Sequence, residues 1–198
     1  MGAPAERRAT YDDVLNAPPN VVAEVLFGVL HMSPRPAIRN ARAGSRLGSR
    51  LGGPFDEARA SGATEDGRDG PGGWVILDEP ELHLGADPDI VVPDLAGWRR
   101  ERMPRVPREA AFLTVAPNWI CEVLSPSTQA VDRADKMDIY RREQVNHVWL
   151  VDPSGETLEV FRLEATSWLR VAVWRGSQLV RAEPFDAVEL ELGALWAE

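Results

Sequence analysis

The chain has 198 residues, 44% of them hydrophobic and 27% charged, with a formal net charge of −9. That length suits one well-buried domain over residues 1–198; the composition excludes wholesale disorder, and the acidic balance argues against nonspecific adhesion to nucleic acid. No apolar run approaches the roughly 20 residues that cross a bilayer, and no signal-length apolar core follows residues 1–8, so a cytoplasmic protein is expected.

Thr10 followed by Tyr11, Asp12 and Asp13 predicts a short N-capped helix, ended by Pro18-Pro19. Residues 21–26 and 29–32 are rich in β-formers, and Phe27-Gly28 between them suits a two-residue hairpin turn. Glu24 is the sole charge of the first run and reads equally as an exposed strand residue or a site residue. A helix is expected over 36–51, opened by proline and closed near Gly52-Gly53-Pro54. Arg39, Arg42, Arg46 and Arg50, with Arg35 just before them, recur at steps of three and four and form one positive face. Such a face either tracks phosphates or is solvated and pairs with the acidic remainder of the protein.

Residues 60–73 read as a glycine-rich polar connection without a phosphate-loop pattern. A strand begins at 74–77, residues 81–84 alternate as a half-exposed strand does, and 90–96 is an apolar run carrying one acid, Asp94. Residues 98–105 form a second basic cluster headed by Trp98, which reads as a nucleic-acid groove or a solvated loop. Residues 119–124 predict a buried strand with Ile120, Glu122 and Leu124 on one face and Trp119, Cys121 and Val123 on the other. Cys121, the sole cysteine, reads as a small core residue. Ser127 or Thr128 caps a helix to about residue 143, on which Asp132, Lys136 and Tyr140 share a face. After a β-rich run at 147–151, residues 157–163, 167–174 and 178–182 predict an antiparallel meander, and 190–196 a closing helical turn. Its apolar strands and the seven tryptophans leave room for a homodimer face.

A carboxylate inside an apolar run is costly to desolvate unless a partner meets it, so Glu122 asks for one. Asp94 and Lys136 are the candidates; of the 22 basic residues, Lys136 alone is lysine. If the strand ends adjoin, Asp94 and Glu122 would hold Mg²⁺, or Mn²⁺ in its place, with the Val123 carbonyl as a further oxygen. Such an ion polarises a phosphoryl oxygen and helps ionise a water, which a neighbouring ammonium orients. The alternatives are a surface pair for Asp132 and Lys136, and a packing residue with a polar tip for Tyr140. His31, His83 and His147 lack zinc spacing, and no Gly-x-Ser-x-Gly elbow occurs.

Pro93-Asp94 followed 28 residues later by Glu122 resembles the PD-(D/E)XK nuclease superfamily. Val92-Pro93-Asp94-Leu95-Ala96, the block Cys121-Glu122-Val123-Leu124-Ser125-Pro126-Ser127-Thr128, Asp132-Arg133, Lys136, Tyr140 and Val148-Trp149-Leu150-Val151-Asp152-Pro153 resemble the bacterial Uma-two restriction endonuclease family. The resemblance implies an α/β fold, a restriction-endonuclease-like mixed sheet flanked by helices, with additional antiparallel C-terminal strands. It implies Asp94 and Glu122 as metal ligands and Lys136 as the motif lysine, because Leu124 occupies the usual third position of the E-x-K triplet. Glu24 matches the first acid of the family's Glu-Leu-Ile-Asp-Gly-Glu stretch; Phe27 and Val29 stand where its other two acids would be. The expected function is a Mg²⁺-dependent endonuclease hydrolysing DNA phosphodiester bonds through Asp94, Glu122, Lys136 and Glu24, with Arg35, Arg39, Arg42, Arg46 and Arg50 contacting nucleic acid. The alternative is a catalytically inactive nucleic-acid-binding or dimeric interaction module on the same fold. Hydrolysis of a sugar by a carboxylate pair lacks an aromatic platform pattern.

Overall fold

The computed structural model describes residues 7–57 and 70–197. Most of the expected 60–73 connection lies outside the described residues. Helix α1 spans Tyr11–Leu15, and the Asp13 carboxylate accepts the Thr10 amide at 2.7 Å, satisfying one free donor of the first turn. Strands β1 (Val21–Leu26) and β2 (Val29–Pro34) form the expected hairpin. Phe27 and Gly28 both take positive φ, 52° and 80°, as the primed two-residue turns demand. Helix α2, Ile38–Leu51, buries Asn40, Ala43, Leu47 and Leu51 at helical spacing. Gly52 does not end it: the chain continues as a π-helical segment, Gly52–Glu57, because burying Phe55 against the core holds the extra turn in place.

Strands β3 (Trp74–Asp78), β4 (Leu82–Leu84) and β5 (Asp89–Val91) follow. The expectation of a half-exposed strand at 81–84 is corrected, since Leu82, His83 and Leu84 are all buried. The apolar run at 90–96 is also two strands, not one. Its first part completes β5 in the small sheet, ordered β2-β1-β5-β4; Val92-Pro93-Asp94 then carries the chain into β6 (Leu95–Arg99) of a six-stranded sheet. Proline between two apolar stretches, with no amide to give to a ladder, marks the crossing.

Strand β7 (Trp119–Val123) is joined to β8 (His147–Asp152), with which it pairs in parallel, by one helical passage. That passage is α3 (Gln129–Val131), a π-helical segment (Asp132–Lys136) and α4 (Met137–Arg142). Strands β9 (Thr157–Glu164) and β10 (Ser167–Arg175) complete the large sheet, ordered β10-β9-β8-β7-β6-β3. The third strand of the expected meander leaves it: β11 (Leu179–Val180) pairs with β12 (Leu190–Glu191), before helix α5 (Gly193–Trp196). The mixed sheet is thus flanked by helices and extended by antiparallel strands, as expected.

The alternation along β7 divides the core. Trp119, Cys121 and Val123 pack with Ala43, Leu47 and Leu51 of α2 and with Phe185 and Leu195. Ile120 and Leu124 pack on the opposite face with Met137, Ile139 and Tyr140 and with Leu26, Leu82 and Val91 of the small sheet. Trp98 is fully buried on that second face and gives its indole N–H to the Val115 carbonyl at 2.8 Å, so it offers no stacking platform to a nucleic acid. Among the described residues no helix is long and apolar enough to cross a membrane.

Candidate active site

Glu122 points toward the helical passage and the small sheet, because it shares the face of Ile120 and Leu124. Three other segments meet it there. In the β6–β7 register Leu95 lies opposite Cys121, Ala96 opposite Ile120 and Gly97 opposite Trp119. Continued by one step, that register sets Asp94 opposite Glu122, with both carboxylates on one face. Asp94 Oδ2 accepts the Val123 amide at 2.6 Å, which fixes the carboxylate against the strand end. Glu24 arrives from β1; its Oε1 accepts the Val92 amide at 2.8 Å beside the crossing segment.

Lys136 closes the constellation from the helical passage. Its Nζ lies 3.0 Å from Glu122 Oε1, 3.1 Å from Glu24 Oε1 and 3.6 Å from Asp132 Oδ1. Lys136 and Asp132 are both buried, which sets aside the alternative of a surface i,i+4 pair. The π-helical segment that carries them widens the backbone by one residue per turn, a distortion often found at functional sites. Tyr140, fully buried one turn on, donates its hydroxyl to Glu122 Oε1 at 2.5 Å. Among the described residues, the side-chain contacts of Glu122 therefore fall on Oε1 and that of Asp94 on Oδ2, leaving the second oxygen of each for the cleft.

Glu24, Asp94, Glu122, Asp132 and Lys136 line an open cleft of ≈ 700 Å³, solvent at its mouth included, walled by Val22, Val92, Val123 and Val131. Four carboxylates, Glu24, Asp94, Glu122 and Asp132, face one ammonium. Burial works against the charge on Lys136, but Glu122, Glu24, Tyr140 and Asp132 outweigh it and hold its pKa well above the ordinary value. Burial pushes the Asp94 carboxyl up to about 6, with the Val123 amide and Lys136 pulling the other way. Burial also raises Glu122 well above the carboxylate range, helped by the charges of Asp132, Asp94 and Glu24. One ammonium thus leaves the cluster with surplus negative charge that either protons or a cation must offset.

The donor set decides which cation suits it. Among the described residues no three His, Cys, Asp or Glu side chains are arranged to enclose a metal ion. Two cleft-facing carboxylates without nitrogen or sulfur fit Mg²⁺, a hard ion that keeps several waters, and not zinc. The Val123 carbonyl is a weaker candidate than expected. The Asn40 amide approaches it at 3.5 Å and donates to the neighbouring Leu124 carbonyl at 2.8 Å.

The model of the Uma2 family, described as "Putative restriction endonuclease", matches residues 9–193. The chain belongs to the Uma2 family. The crystal structure of "a putative nuclease belonging to DUF820 from Anabaena variabilis ATCC 29413" shares the fold, with a TM-score of 0.68 at 22% identity over 95% of this chain and 97% of that one. No curated protein matches the chain.

In this Uma2 chain the arginines expected to contact nucleic acid are not brought together in the cleft. Arg35 reaches its rim, 3.8 Å from Glu79, which lines it. Arg39 contacts Ser154 Oγ at 3.4 Å, just beyond β8 and at the same end of the sheet as Glu122. Arg42 and Arg46 donate to the Ala197 carbonyl, Arg46 also to Ala194, and Arg50 pairs with Glu191. Three of the five therefore fasten the C-terminal segment to α2. Asn40 and Asp132 also line the cleft, although neither is among the site residues expected from the sequence. Asn40 left a trace, a polar residue within the buried stripe of α2, and Asp132 left its spacing of four from Lys136.

Proposed function

We propose that the cleft hydrolyses phosphodiester bonds of DNA with a divalent cation, Mg²⁺ or Mn²⁺, held by Asp94 and Glu122. The observation that carries this reading is the convergence of Glu24, Asp94, Glu122 and Lys136, from four segments of the chain, on one solvent-open cleft. When bound, the ion supplies a Lewis acid for a phosphoryl oxygen and lowers the pKa of a water. The other steps fall to the chain itself. Asp94, anchored by the Val123 amide, and Glu122, anchored by Tyr140, present preset oxygens and need little reorganisation. Lys136 stays a cation at every physiological pH, so it orients the attacking water and offsets charge developing on phosphorus. Glu24, hydrogen-bonded through one oxygen, takes the proton of that water. Arg35 and Arg39, nearest the mouth, meet phosphates of the flanking DNA, and Arg42, Arg46 and Arg50 add to the positive field along α2.

Nicking of supercoiled plasmid in Mg²⁺ or Mn²⁺ tests the proposal. Wild type should convert it to open circles, and Asp94→Asn, Glu122→Gln and Lys136→Met should each lose about 10²-fold or more while keeping the wild-type circular dichroism spectrum. Cleavage untouched by all three substitutions would reject the proposal. DNA retention without cleavage, weakened by Arg35→Ala with Arg39→Ala and by added salt, would point to the binding module instead.

A further inference from the structure

Resting on that nuclease reading, we propose that His31 is a catalytic residue of the same cleft and protonates the oxygen that departs when the phosphodiester breaks. His31 lies opposite Glu24 in the β1–β2 register, and opposite residues of an antiparallel pair show their side chains on one face. The imidazole accordingly lines the cleft, with Ser33 two residues on. The other two histidines are committed elsewhere. His83 is buried, bonded to Glu81 and stacked on Phe112, and His147 meets Glu183. The His31 side chain has no ion pair, hydrogen bond or ring contact within the protein among the described residues.

Depth in the cleft assigns the role. Glu24, Glu122 and Lys136 form its buried floor, whereas His31 is half-buried on the edge strand that forms one wall. In an in-line displacement the attacking and leaving oxygens lie on opposite sides of the phosphorus. Attack by a water held at the floor therefore turns the leaving oxygen toward the mouth, where His31 stands. Lys136 is poorly placed to donate there, being held at the floor among three carboxylates. Among the described residues β2 pairs with β1 alone, which contributes Glu24; Glu79, Asp94, Glu122, Asp132 and Lys136 face the same cleft from the other elements. Imidazole is the side chain suited in general to give up a proton near neutrality.

The step balances. The water oxygen forms its bond to phosphorus and its proton passes to the Glu24 carboxylate. The bond from phosphorus to the bridging oxygen breaks with its electron pair on that oxygen, which takes the proton of His31. Neutral His31 and protonated Glu24 then exchange protons with solvent.

The test compares wild type, His31→Ala, His31→Gln and Asp94→Asn in Mn²⁺ on two sets of oligonucleotides, one ordinary and one with sulfur replacing the bridging 3′ or 5′ oxygen. A thiolate departs without needing a proton. Both His31 variants should lose about 10²-fold in kcat on the ordinary substrate and less than about threefold on the sulfur substrate from which the thiolate leaves. Equal losses on both substrates, or no loss on either, would overturn the role of His31 while cleavage by wild type but not by Asp94→Asn upholds the nuclease reading. Failure of wild type to cleave either substrate would overturn both.

Discussion

Asp94 is held where a carboxylate is least at ease, and its titration should reveal that. Its folded pKa of about 6 lies above the ordinary 3.8, so its contribution to stability is fully present below about 3.8 and is lost as the pH rises through 6. Asp94→Asn should therefore unfold with the wild type at pH 4 and be more stable than it at pH 8. The full shift of about two pK units corresponds to about 3 kcal/mol, which screening in an open cleft reduces to about 1–2 kcal/mol. Chemical denaturation at the two pH values measures the difference. Equal stability at pH 8 would show that burial does not strain this carboxyl. Residues of this kind were legible in the sequence because they broke a pattern: Glu122 was the one charge in an apolar run and Lys136 the one lysine. Asp132 broke none, since an acid four residues before a lysine is also how an exposed helical face reads.

The elements were legible wherever local periodicity decided them. The β1–β2 turn, the two faces of β7 and the strand at 147–151 all follow from spacing and turn chemistry. Elements decided by distant partners were not. The run at 90–96 splits because each half finds a different sheet, and Leu179-Val180 leaves the meander because β12, about ten residues later, offers the ladder. Nothing in Asp132-Arg133-Ala134-Asp135-Lys136 announces a π-helical segment, which is held by contacts of Lys136 with Glu24 and Glu122. The strand that delivers Asp94 is itself under a packing constraint. A Cβ on Gly97 of β6 would lie 3.1 Å from Trp119 Cε3 and 3.3 Å from Trp74 Cε3, both in the aromatic cluster around Phe185. Gly97→Val should destabilise by about 1–3 kcal/mol through overpacking, and Gly97→Ala by less. Thermal unfolding that left both variants at the wild-type midpoint would show that the indoles yield freely.

At the scale of the molecule, the cleft exists because two sheets and one helical passage meet at the C-terminal end of β7. The large sheet supplies Glu122, the crossing between sheets supplies Asp94, the small sheet supplies Glu24, and the return helix supplies Lys136. Each scaffold element buries its own apolar face independently of the acids: α2 and the C-terminal segment on one side, α4 and the small sheet on the other. The architecture can therefore tolerate four carboxylates around one ammonium, a charge balance that favours cation binding over tight packing. A crystal soaked in Mn²⁺ and measured at the manganese absorption edge tests this most directly. An anomalous peak is expected between the Asp94 and Glu122 carboxylates in the wild type and is lost in Asp94→Asn, whereas a cleft without a peak at saturating Mn²⁺, or one occupied equally in both proteins, would contradict metal binding by this pair.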